Sequence, residues 1–415
     1  MTDQISIDGS GLPKALLAAL MDQAQRSGVT RLALVGGVVR DVMLHHVHRD
    51  PWRDPPDLDF VLEGSCVDFV QHLHEQFGDG RVPELHLHPQ FGTAELLVDG
   101  VLLDVACART EIYPAPGENP VVQLGSIEQD LARRDFTVNA MALLLQADGS
   151  HLLCDPHSGR QHLAKRQLAF LHANSVADDP TRILRGARYG ARLGFHLAPD
   201  ALVQIQSTLV QWPWAWRPGD SLEAVPPALG TRLRMELELL LDREPWDQAL
   251  QLLHQWSALS VLDAGLQQDS RLLRRLAQGR RLCLPALVVL VAAAADPVSL
   301  GSRLQIPRQQ QVWLGELVKC RQWLDLEVNR DTWSGWDALE WTQRLEQQRW
   351  SPEAVALAVL DNTSFRRPLL RWWGRWRHVT SPVSARELIA QGMRPGPELG
   401  EALRRRRDRV LRQMG

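Results

Sequence analysis

The chain has 415 residues, 45% hydrophobic and 23% charged, with a formal net charge of −3. That length is too great for one core and predicts two or three domains, while the near-neutral balance excludes a uniformly basic nucleic-acid coat, so RNA contact has to come from local basic faces. Five scattered cysteines with no CxxC pair exclude a disulfide framework and a cysteine-based zinc site, and they read as reduced thiols of a cytoplasmic protein.

No signal peptide is visible at the start. The most apolar run, Leu282 to Ala295, contains Pro285 and is too short to span a bilayer, so it predicts a buried helix and no membrane association. Residues 12–26 predict an amphipathic helix. Leu32 to Val35 reads as a buried strand that stops at Gly36-Gly37, a pair that lets the backbone turn sharply against a ligand. Arg40 then enters a helix, and the cluster His45 to Asp50 (HHVHRD) reads as a solvated loop rather than a metal site. In the next strand, Asp57 to Leu62, residues two apart share a face, so Asp57 and Asp59 aim their carboxylates at one spot. Like charges held that close call for a divalent cation with oxygen ligands. A phosphate cradle beside such a pair is the hardware of phosphoryl or nucleotidyl transfer.

A helix is predicted over 65–77, then strands over 93–98 and 101–106 joined by Asp99-Gly100, a hairpin signal. Asp104 in the second strand is a third carboxylate if that strand neighbours the first acidic one, and otherwise a solvent-facing Asp. Residues 109–126 hold three prolines and two glycines and read as a mobile loop. Ser126 caps a helix that runs into Arg133-Arg134-Asp135-Phe136-Thr137-Val138-Asn139-Ala140. Arg134 offers a planar donor fork for phosphate oxygens, or else a surface ion pair with Asp135. The next marked segment is 177–195, a helix with Pro180 in its first turn and Arg182, Arg185, Arg188 and Arg192 along about a third of its circumference. Asp179 accepts from an exocyclic amino group and Arg182 donates to an acceptor beside it, a pairing that suits cytosine and adenine and rejects uracil and guanine.

Strand, GG-x-x-RD and a DxD strand together resemble the head of the polymerase β-like nucleotidyltransferases. With the RRDFT-NA block and Asp178-Asp179-Pro180-Thr181-Arg182, which stands where the family's E-D-x-x-R occurs, the chain resembles the class II CCA-adding enzyme and bacterial poly(A) polymerase family. The resemblance covers roughly residues 30–240. It implies an α/β head with a short mixed sheet (residues 1–160), a helical, nucleotide-selecting neck (161–245), and an all-helical body and tail that bind tRNA (246–415). It implies template-independent transfer of CMP and AMP from CTP and ATP to the tRNA 3′ end, with Asp57 and Asp59, and Asp104 as a third acid, holding Mg²⁺. Gly36, Gly37, Arg40 and Arg134 would bind the triphosphate, Asp179 and Arg182 would read the base, and Arg185 and Arg188 would support the nucleotide or the neck. The alternatives are a CC-only, A-only or poly(A)-adding enzyme of the same family, and a non-catalytic RNA-binding protein that kept the fold.

Within the neck, Thr231 to Leu237 reads as support, with Glu236 bracing Arg232 at i,i+4. Residues 211–228 read as a Trp- and Pro-rich loop. The segment 365–377 interleaves five Arg with three Trp, which fits either RNA contact by charge and stacking or a core stripe.

Overall fold

The computed structural model describes residues 3–7, 12–50, 57–326, 328, 335–361 and 364–414, with the backbone alone at Asp57. It divides into two compact units, Met1–Arg217 with Pro226–Glu236 and Glu244–Ala258, and Pro218–Val225 with Leu237–Arg243 and Leu259–Gly415.

The first unit is built on a mixed sheet. Its elements in order are β1 (Asp3–Gln4), α1 (Lys14–Arg26), β2 (Arg31–Val35), α2 (Gly37–His48), β3 (Asp57–Glu63) and α3 (Cys66–Phe77). Then come β4 (Glu84–His88), β5 (Thr93–Val98), β6 (Val101–Cys107), β7 (Arg109–Ile112), β8 (Val121–Leu124) and α4 (Ile127–Ala132). After β9 (Ala142–Leu145), β10 (His151–Cys154) and α5 (Gly159–Ala164) follow α6 (Ser175–Asp178), α7 (Thr181–Leu193) and α8 (Pro199–Gln211). The first six residues of α9 (Thr231–Arg243) and all of α10 (Trp246–Gln255) end the series.

Among the described residues, eight strands hydrogen-bond in the order β1-β10-β9-β2-β3-β6-β5-β4. Only the β3–β6 pair is parallel, in a register that sets Asp59 level with Asp104. The apolar runs explain the centre. Leu32–Val35 and Ala142–Leu145 are buried along their length, as expected of strands covered on both faces. The hairpin expected at Asp99-Gly100 forms between β5 and β6 with Val98 opposite Val101, and both residues of its turn have positive φ.

Two expectations need correction here. The His cluster is helical: α2 runs on to His48 and ends at Arg49 in the left-handed region, with His45 Nδ1 3.1 Å from the Asp50 carbonyl oxygen. Residues 109–126 are not one long loop, because β7 and β8 pair antiparallel from Arg109–Leu124 to Ile112–Val121. The prolines fall at the tip and leave the ladder intact. That tip is docked: the Gly117 amide donates to the Asp178 carbonyl, and the Gly117 carbonyl accepts from the Ala228 amide.

The second unit is helical. Pro285 opens the helix Ala286–Ala292, all but Ala286 buried, as the apolar run predicted. In the basic Trp segment, Trp372 and Trp376 are buried, so the core reading holds for these two rings and they offer no stacking surface. The third ring, Trp373, lies under the guanidinium of Arg377. Among the described residues, no helix is long and apolar enough to cross a membrane, and all five cysteines are free.

Candidate active site

Strand β2 delivers the chain to Gly36, whose φ of 75° only glycine adopts without strain. A side chain there would also collide, since a β-carbon on Gly36 would stand 2.6 Å from Asp59 Oδ2 and 3.8 Å from an Arg134 terminal nitrogen. The turn therefore brings bare backbone between a carboxylate and a guanidinium. Gly37 begins α2, so the free amides of a twelve-residue helix start at the same place.

A cleft of about 800 Å³ opens over this turn within the first unit. The predicted residues Gly36, Gly37, Arg40, Asp59 and Arg134 line one part of it, and Asp179, Arg182 and Arg185 line another. Asp104 is not among the lining residues but sits level with Asp59 on the adjacent strand. The side chain of Asp57 lies outside the described residues. Arg188 is not among the lining residues; its guanidinium pairs with Glu236 and Glu244.

The RRDFT-NA block is a wiring hub. Asp130 is fully buried and gripped by both arginines, Arg133 at 2.6 Å and Arg134 at 3.0 Å. The alternative of an Arg134–Asp135 surface pair is not what forms, since Asp135 is buried and turns the other way. Asp135 accepts from the Phe136 amide at 2.7 Å, from Asn139 Nδ2 at 3.1 Å and from Arg185 Nε at 2.8 Å. Asn139 in turn accepts from Arg40, whose Nε is held by Asp41. Arg40 is thus locked from two sides at the mouth of the glycine turn. Arg134 keeps a buried Nε with no hydrogen-bond partner among the described residues, a donor left over beside the turn.

On the neck side, Asp179 follows α6 and precedes Pro180, where the chain breaks before α7. Its carboxylate accepts from the Thr181 amide and hydroxyl and pairs with Arg232. Arg182 donates to the Arg133 carbonyl at 2.9 Å, which ties the neck to the hub. Glu236 does not brace Arg232; it pairs with Arg185 and Arg188, so α9 holds α7 by its acid and Asp179 by its base. The sequence reading also missed Glu111, Arg133, Tyr189 and Arg192, all in the cleft wall. Glu111 meets Arg133 and Arg192 meets Glu244 only through the fold, at separations that no helical or strand period spans.

Carboxylate oxygens such as those of Asp59 and Asp104 are the donor set that a hard divalent cation prefers. Among the described residues, no three His, Cys, Asp or Glu side chains gather as a metal site.

The poly A polymerase head domain matches residues 32–169. The chain is 33% identical over 396 residues to the CC-adding tRNA nucleotidyltransferase of Deinococcus radiodurans, a match covering 93% of this chain and 86% of that one. It is 32% identical over 246 residues to the A-adding tRNA nucleotidyltransferase of Aquifex aeolicus, covering 59% of this chain but only 27% of that protein. Of solved structures, a CCA-adding enzyme in its apo form II superposes with a TM-score of 0.74 at 21% identity, over 99% of this chain and 95% of that one. The glycine turn, the acidic strand and the RRD hub therefore have a family context, and the chain belongs to the tRNA nucleotidyltransferases built on a poly(A) polymerase head.

Proposed function

We propose that the chain adds CMP and AMP, from CTP and ATP, to the 3′ end of tRNA and completes the CCA terminus without a nucleic-acid template. The observation that supports this reading is one cleft carrying both halves of the task. The glycine turn, Arg40 and Arg134 suit a triphosphate, and Asp179 with Arg182 suit a base. In this reading Asp57, Asp59 and Asp104 hold Mg²⁺. A metal held there would supply Lewis-acid chemistry for the RNA 3′-hydroxyl and charge neutralisation for the pyrophosphate. The residues themselves orient: α2 presents backbone amides, Arg134 adds its unpartnered donor, and the Asp135–Arg185 pair fixes α7 so that Asp179 and Arg182 face the bound base. We keep the division into head (1–160), neck (161–245) and tRNA-binding body and tail (246–415), and a cytoplasmic location.

A second reading, CC addition alone, draws on the Deinococcus relative, whose match spans 93% of this chain. Three substrates separate the two: tRNA lacking CCA, tRNA ending in C, and tRNA ending in CC, each with CTP and ATP together. Full CCA from all three supports the proposal. A product that stops at CC, with the CC-ended tRNA left unextended, overturns it in favour of the second reading.

A further inference from the structure

We infer that Arg232 is a specificity-determining positioning residue, fixing the Asp179 carboxylate so that one acceptor position remains for a nucleobase amino group. The inference rests on the reading of Asp179 as the base reader.

A carboxylate has about four lone-pair positions, two on each oxygen. At Asp179, Oδ1 takes two donors, the Thr181 amide at 3.0 Å and the Thr181 hydroxyl at 2.6 Å, and is saturated. Oδ2 takes the Arg232 guanidinium and keeps one position. The side chain is buried, so water does not compete for that position on equal terms. Without Arg232, Oδ2 would keep two positions and the carboxylate a freer torsion, and it would meet an amino group less selectively. The pairing is not local: Arg232 lies 53 positions beyond Asp179, on α9.

A second observation points at a ligand. Arg232 lines the cleft, yet its Nη1 is buried and has no hydrogen-bond partner. A buried donor atom left unmet is costly even on a half-buried side chain, so the strong hold on Asp179 Oδ2 falls to the rest of the guanidinium. Arg182, the expected donor to the base, is already drawn to the Arg133 carbonyl and lies 3.5 Å from His172 Nε2. Cytosine and adenine present an amino group beside a ring acceptor. The single open position on Asp179 matches that amino group, whereas uracil and guanine turn a carbonyl acceptor toward it.

The test measures kcat/KM for CTP and for UTP on tRNA lacking CCA, with thermal melts of each variant. Arg232→Gln is expected to lower the CTP-over-UTP ratio about tenfold, the scale of a weakened base contact, chiefly through a higher KM for CTP. Arg232→Lys, which still pairs with Oδ2, should recover part of the ratio. If Arg232→Gln melts below the assay temperature, Arg232→Met, which keeps the stem packing, carries the same expectation. An unchanged ratio, or an equal loss on CTP and UTP, overturns the inference while a lowered ratio in Asp179→Ala leaves base reading standing. An unchanged ratio in Asp179→Ala sinks base reading and this inference with it.

Discussion

Arg185 Nε donates to Asp135 Oδ2 at 2.8 Å across fifty positions of sequence, joining the neck helix to the RRD hub. Burial alone would push the Asp135 carboxyl up, but the Arg185 guanidinium, with Asn139 and the Phe136 amide, outweighs it and holds the group below the usual carboxylate range. The same pair keeps Arg185 firmly charged.

Asp135→Asn keeps the shape and removes the charge, leaving Arg185 with Glu236 and the Tyr189 hydroxyl. Because Arg185 faces the cleft, the cost should be about 2 kcal/mol rather than the full penalty of a deeply buried pair. A depressed carboxyl stabilises fully above its ordinary pKa and loses that as pH falls through the lower folded value. Urea titrations should therefore show the gap to wild type constant from pH 5 to 7 and closing only in stronger acid.

Glu128 gives a second acid-sensitive point. Its hydrogen bonds to Arg31 pull the carboxyl from 4.5 down to about 2, so the folded state binds its proton later than the unfolded chain. The sign is again loss of stability toward acid. Glu128→Gln should melt earlier than wild type at pH 7, and the two curves should converge as pH drops from 4.5 towards 2. Convergence at higher pH would remove the Arg31 pair as the cause.

Gly36→Ala combines a positive φ with a methyl 2.6 Å from Asp59 Oδ2. The strain is about 1–2 kcal/mol, which the fold tolerates, whereas Asp59 has to move. Nucleotide transfer should fall by about a hundredfold or more, on the scale of a misplaced reacting group, with a modest drop in melting temperature. Transfer at wild-type rate would mean that Asp59 does not need its present position.

Asp59→Ala should abolish nearly all label transfer from α-labelled CTP while tRNA affinity stays within a few fold, because phosphate contacts elsewhere supply that affinity. Retention of more than about a tenth of the rate would be incompatible with metal-assisted transfer at this carboxylate.

The parts legible in the sequence were those with a short period. Leu32–Val35, the 93–106 hairpin and the carboxylates two apart on β3 announce themselves through alternation and turn chemistry, and α3 through an apolar stripe capped at Ser65. Residues 109–126 were misread because prolines at 114, 116 and 120 mask the flanking RTEI and VVQL strands. Glu236 was misassigned for a different reason. Its i,i+4 geometry with Arg232 is available, but α7 places two arginines against it and Asp179 draws Arg232 away, so tertiary pairing overrides the local option. Asp130 sits at the i,i+3 and i,i+4 spacing of its two arginines, whereas nothing in the spacing of Asp135 or Asn139 says that they hold Arg185 and Arg40 rather than ligands.

The register of the sheet carries an evolutionary consequence. Asp59, Asp104 and Glu95 stand abreast on β3, β6 and β5, three acids in one row. Like charges directly opposite each other weaken a sheet, so this row works against the stability of the fold. Directed evolution for heat tolerance should then drift toward neutral residues in this row, with Asp104→Asn an early winner.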